Sequence, residues 1–195
     1  MKTARKKRDK VTKGIWFINM LMCVLLLAGS SKSIFANNIF EDPQTIQYDQ
    51  VQYSDNGLLD NLITVDDEHF DIAEVSLLLA KDEYSGIKVE DYVECVDWYA
   101  RMIKVRIADG DGPKWIINII NKFLFDELGF IYVPTGNLED LYLNKVIDRR
   151  KGNCVGLSIL YLSIAERLGL PLFGVNVPEH IFVRYDDGKQ KITKG

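Results

Sequence analysis

Cys154 and His180 are the two side chains whose types and spacing could carry covalent chemistry. Cys154 follows Gly152-Asn153 and opens a run with apolar residues at helical spacing. His180 begins an apolar, β-branched stretch further along the chain. Backbone N–H groups and the positive end of the helix dipole favour an anionic sulfur at such a helix start. An ordinary cysteine has a pKa of ~8.5, so a neighbouring imidazole is needed to make it a nucleophile at neutral pH. The pair suits attack on an amide carbonyl, with His180 protonating the leaving amine. The oxyanion then needs two donors, and the backbone N–H of Cys154 is the natural first. One Cys and one His are too few for zinc, which takes three or four protein ligands, so neither a metal nor another cofactor is expected.

These residues must be held by elements that the patterning predicts. Ile72, Val75, Leu78 and Leu79 repeat at helical spacing from His69 onward, and a second helix spans about 89–108 with Tyr92, Val96, Tyr99, Ile103 and Ile107 on one face. Asp109-Gly110-Asp111-Gly112 breaks it, and Pro113 suits the first turn of a third helix, with Trp115, Ile116, Ile119, Ile120, Phe123 and Leu124 inward. A short strand near 130–133 and a brief helix over 141–147 lead to the Cys helix. That helix runs from Cys154 to Leu168 with Leu157, Leu160, Tyr161, Ile164 and Leu168 inward. Gly169 closes it and Pro171 prevents its continuation. Two strands, 172–177 and 180–185, precede the turn Asp186-Asp187-Gly188-Lys189. The expected fold is α+β: a helical N-terminal part, then a Cys-bearing helix packed on a small antiparallel sheet.

The chain starts with seven Lys or Arg against one acid in residues 2–13, followed by an apolar run from Ile15 to Ala28, the small, polar stretch Gly29-Ser30-Ser31-Lys32-Ser33 and the segment Ile34-Phe35-Ala36. This order is that of a secretory signal peptide, and the apolar run is shorter than the ~18 residues expected of a membrane span. Three units are therefore expected: a signal peptide or N-terminal membrane anchor over 1–36, an extended polar arm over 37–68, and a folded domain over 69–195. The folded part would be exported, periplasmic or secreted, and would touch a membrane only through an uncleaved leader. Residues 1–36 hold eight of the 24 Lys and Arg but one of the 28 Asp and Glu, so the remainder carries a net charge of −11. Such a surface repels nucleic-acid phosphates and anionic lipid, so neither is an expected partner.

The stretch LYLNKVIDRRKGNCVGLSILYLSIAERLGLPLFGVNVPEHIFVRY resembles the core of the bacterial transglutaminase-like superfamily, and more narrowly its transglutaminase-like core 2 group. The resemblance covers roughly 69–188 and implies a papain-like architecture, with Cys154 as nucleophile and His180 as general base. It also implies an acidic third residue about one strand beyond His180, where this chain reads Ile192-Thr193-Lys194-Gly195. Asp186 and Asp187 stand in the turn at the far end of the strand and are not given that role. Either the sequence is truncated before further strands, or a Cys–His dyad acts without the acid. The implied function is a cysteine hydrolase or protease acting on peptide or isopeptide bonds of a protein or peptide substrate; hydrolysis needs no second substrate site, whereas acyl transfer to a lysine does.

Two alternatives stay open: an inactive module that keeps the fold for binding or regulation, and a structural domain stapled by a Cys95–Cys154 disulfide. Cys95, at apolar spacing with Tyr92, Tyr99 and Met102, reads as a core residue. His69, behind Asp66-Asp67-Glu68, reads as a solvated helix cap. Gly152 and Gly156 flank the cysteine and would leave room for substrate backbone. Arg149-Arg150-Lys151 would fix the loop before the Cys helix through acidic partners.

Overall fold

The computed structural model describes residues 71–134, 137–178 and 180–193. The leader over 1–36, the arm over 37–68 and His69 lie outside the described residues. Among the described residues five α-helices follow in order: α1 (Ile72–Glu83), α2 (Val89–Lys104), α3 (Pro113–Asn121), α4 (Leu143–Arg149) and α5 (Cys154–Arg167). A π-helical segment, Lys122–Glu127, continues α3, and a 3-10 turn, Leu138–Asp140, precedes α4. Strand β1 (Ile131–Tyr132) pairs in parallel with β2 (Lys151–Gly152). An antiparallel sheet runs β3 (Leu172–Val177), β4 (His180–Asp186), β5 (Lys191–Thr193) in that order. The fold is α+β, as the patterning predicts.

Helix α5 is the centre of the packing. Helices α1, α2 and α4 lie against it, and β3 and β4 cover it from the sheet. It is therefore buried almost all round: every residue from Val155 to Ala165 except Leu157 is buried, where a single inward stripe was expected. Removing each large aliphatic side chain from water here contributes roughly 1.5–3 kcal/mol.

Other boundaries shift for local reasons. Helix α2 ends at Lys104 rather than Ala108, because the N–H of Ala108 is taken by the Asp111 carboxylate at 2.8 Å and the chain turns. Trp115 is 57% exposed, while Ile117 is buried in its place. The inward line of α3 runs Ile117, Ile120, Phe123, and Trp115 stands roughly 200° from Ile117 at about 100° per residue. In α1 the buried face widens to include Leu77, leaving Leu78 and Leu79 half-buried, since α1 packs on three helices at once.

Both ends of α5 are fastened. At its C-terminus, Glu166 accepts the N–H of Ile72 at 3.0 Å. Arg167 reaches Asp71 at 2.9 Å and the carbonyl of Ser163 at 3.1 Å, and its Nε lies against Asp97. These contacts tie the last turn of α5 to the starts of α1 and the middle of α2.

At its N-terminus, the Asn153 side chain accepts the N–H groups of Val155 and Gly156, each at 3.0 Å, as an N-cap. The N–H of Asn153 donates to the carbonyl of Asp140 at 3.1 Å. A Cβ on Gly156 would stand 2.3 Å from that same carbonyl oxygen and 2.7 Å from Val146 Cγ2. A Cβ on Gly152 would meet Val146 Cγ2 at 2.9 Å. Both glycines are buried, so the space they leave is filled by the protein itself and not kept for substrate backbone. The basic run divides its work: Arg149 pairs with Glu139 at 2.9 Å and with buried Asp140 at 3.1 Å, as expected. Arg150 instead adopts a left-handed conformation, φ 51°, and donates to the carbonyl of Leu128 at 3.0 Å.

Two substitutions test this fastening. Gly156→Ala forces the Asp140 backbone away from the first turn of α5 and is expected to cost about 3 kcal/mol, at the upper end for overpacking, read from the urea midpoint. Arg167→Ala is expected to cost about 1–3 kcal/mol, because Asp71 and Asp97 are partly solvated and absorb some of the loss. Arg167→Lys should recover little of it, since an ammonium cannot span both carboxylates and the Ser163 carbonyl as a planar guanidinium does.

Candidate active site

The local structure around Cys154 leaves one backbone donor without work. Val155 and Gly156 give their N–H groups to the Asn153 cap, and Leu157 donates to the Asn153 carbonyl at 3.0 Å. The N–H of Cys154 itself meets no acceptor among the described residues. The thiol is half-buried at the first position of α5.

His180 is the first residue of β4 and pairs with Val177 of β3. It is exposed, and its ring stacks on Phe182 with centroids 6.3 Å apart and planes 30° apart. Strand alternation puts His180 and Phe182 on one face and Ile181, Val183 and Tyr185 on the other. Residues of both series line one cavity of about 470 Å³, and Cys154 lines the same cavity. Among the described residues, no hydrogen bond joins the thiol to the imidazole; such bonds often tighten only when substrate binds.

The rest of the wall comes from elements that sequence reasoning did not connect with the cysteine. Ile117 and Asn121 on α3, Phe125 on the π-helical segment and Tyr132 on β1 form one side. Ser158 and Tyr161, four and seven residues beyond Cys154, continue the cysteine's own face of α5. Helical spacing alone would have placed Ser158 and Tyr161 under the thiol. The opposite wall had no such signal, because it depends on how α3 docks.

The remaining acids and thiols sort clearly. Asp186 lies near Lys191 Nζ at 3.5 Å and accepts the N–H of Gly188 at 3.0 Å. The N–H groups of Gln190 and Lys189, each at 2.8 Å, hold the Asp187 carboxyl below its usual range. Both belong to the β4–β5 turn, six or seven residues from His180. Strand β5 pairs Thr193 with Arg184, four positions short of His180 on β4. No group of His, Cys, Asp and Glu among the described residues could hold a metal ion. Cys95 and Cys154 are both free thiols. Burial pushes the Cys95 thiol up, and the nearby carboxylates of Glu94, Asp148 and Asp91 add to this. Beside it, burial and a hydrogen bond to Asp148 push the Tyr92 phenol up to about 12.

Comparison with known proteins bears on this arrangement. A UPF0162 protein of Xylella fastidiosa (strain Temecula1 / ATCC 700964) is 34% identical over 139 residues, covering 67% of this chain and 48% of its own length. A UPF0162 protein of Pasteurella multocida is 34% identical over 104 residues, 51% of this chain and 39% of its own. The mouse F-box only protein 21 is 37% identical over 84 residues, 40% of this chain and 13% of its own. The chain thus spans about half the length of the Xylella relative. No solved structure matches it. The family description of the transglutaminase-like superfamily matches residues 90–193, a stretch that holds the cysteine helix, the histidine strand and most of the cavity wall. On that match, this chain belongs to the transglutaminase-like superfamily.

Proposed function

We propose that this protein is an exported transglutaminase-like cysteine hydrolase that cleaves peptide or isopeptide amide bonds, with Cys154 as nucleophile and His180 as general base and acid. The observation that carries this reading is that Cys154 and His180 line one cavity, at a helix start whose first N–H is unengaged. Export rests on the basic, apolar and small-residue order of residues 2–36.

In the first half-reaction the sulfur attacks the amide carbon, forming a C–S bond and placing negative charge on the former carbonyl oxygen. The unengaged N–H of Cys154 is available to receive that oxyanion. The C–N bond then breaks, and the amine departs with the proton that His180 supplies. In the second half-reaction His180 takes a proton from water, the hydroxide oxygen attacks the thioester carbon, and the C–S bond breaks to return the thiolate. The carboxylic acid and the amine are the products, with no external oxidant or reductant. A lysine amine in place of water would give acyl transfer, which needs a second binding site for the acceptor.

Alkylation separates this reading from its competitor. With iodoacetamide at pH 6, Cys154 is expected to react at least about tenfold faster than Cys95, whose half-buried thiol is held protonated by desolvation and the nearby carboxylates. His180→Ala should remove most of that advantage while leaving the Cys95 rate unchanged. Equal rates at the two cysteines, unaffected by the substitution, would instead identify an inactive binding module on the same fold.

A further inference from the structure

The cavity beside Cys154 differs in character from the rest of the molecule. Charged residues make up 27% of the chain, yet no Asp, Glu, Lys or Arg lines the cavity among the described residues. Its walls are mostly aliphatic and aromatic, from Ile117 and Phe125 across to Ile181 and Ile192, and Asn121 adds a buried amide nitrogen with no partner among the described residues. Beneath them lie two hydroxyls on the cysteine's own helix face. Ser158 is 6% exposed and Tyr161 is 8% exposed. Elsewhere in the helices, Ser76 and Ser163 each donate to a carbonyl one turn back, at 2.6 and 2.8 Å. Ser158 makes no such bond, and neither hydroxyl has a partner among the described residues. At 1.5 Å per residue, Ser158 and Tyr161 sit about 6 and 10 Å along α5 from Cys154.

We infer that this cavity binds the acyl side of the scissile bond and selects a peptide whose acyl residue is bulky, apolar and uncharged. The inference rests on the hydrolase reading above. A charged side chain entering this space would leave water and find no counter-charge, which disfavours it strongly. An aromatic or branched aliphatic side chain would fill it. The two hydroxyls argue for peptide over a fatty acyl chain: a peptide offers N–H and C=O groups for them to bond, whereas a hydrocarbon tail would bury both unbonded. A pocket of this size, apolar with a few placed polar groups, is the usual form of a small-ligand site. Phe125 stands at the rim, 38% exposed, where a substitution can change the lining without opening the core.

The test is a series of p-nitrophenyl esters read as second-order acylation rates of Cys154 by intact-mass spectrometry. The acyl groups are N-acetyl-phenylalanine, N-acetyl-leucine, N-acetyl-lysine, N-acetyl-aspartate and octanoate. The phenylalanine and leucine esters are expected to acylate at least about 100-fold faster than the lysine and aspartate esters, and faster than octanoate. Phe125→Asp should lower the phenylalanine-to-lysine rate ratio at least about tenfold. Equal rates across the amino-acyl series, with acylation still confined to Cys154, would overturn the selectivity and leave the hydrolase reading standing. A fastest rate for octanoate would overturn it in favour of a lipid substrate. A wild-type Cys154 that iodoacetamide labels but no ester acylates would overturn both readings together.

Discussion

The approach of the Asp140 backbone to the first turn of α5 is the contact on which the rest of the structure depends. The Asp140 carbonyl takes the N–H of Asn153 and lies where the Cβ of any residue but glycine at 156 would have to go. This closeness sets where α5 begins, and so where Cys154 stands. Each neighbouring feature serves the same contact. Arg149 holds the Asp140 side chain, and Val146 fills the space above Gly152 and Gly156. Left-handed Arg150 turns the chain from α4 into β2 so that Asn153 can cap. The parallel pairing of β1 with β2 completes the arrangement, because it fixes the loop from the other side.

Position alone would not keep the helix rigid along its length. Its far end is held by Arg167 and Glu166, which draw Asp71, Asp97 and the N–H of Ile72 onto the last turn. The wide burial of α5 between three helices and a sheet does the rest, since a close-packed interior leaves little room for movement. The consequence for chemistry is a cysteine presented at a fixed point, with the first-turn donors assigned by the Asn153 cap and that of Cys154 left over.

Much of this was legible in the sequence, and the failures have common causes. The Cys helix, its Gly169 stop, the two strands after it and the turn at 186–189 all follow from periodicity and turn chemistry. The choice of Cys154 and His180 as the residues of interest rests instead on their side-chain types and on the family resemblance, and both line one cavity. Sequence reasoning misread Trp115, the end of α2 and the buried face of α1, because in each case a local capture or a second packing partner overrode a regular stripe. It misread Gly152 and Gly156 for a different reason: a glycine next to a cysteine looks the same in sequence whether a substrate or another loop uses the space. The cavity wall on α3 and the π-helical segment was not legible at all. It comes from a helix docked at long range, and the lengthened turn at Lys122–Glu127 has no plain sequence mark.

Cysteine and histidine are held in different ways, and this shapes how the site can work. Cys154 is fixed by buried contacts on both sides of α5. His180 begins a strand, is exposed, and owes its place to the β3–β4 register and one ring stack on Phe182. The register is itself secured further down β4, where Ile181 and Tyr185 are buried four residues apart and Tyr185 pairs with both Leu172 and Ile192. A slip of one residue would send His180 to the opposite face and bring Ile181 to the surface, so burial of these two side chains fixes the face from which the imidazole projects. That constraint sets the face but not the rotamer. In the proposed hydrolase, alignment of the imidazole on the thiol would therefore be left to substrate binding, and apolar groups packing against Phe182 and Ile181 in the shared cavity would drive it.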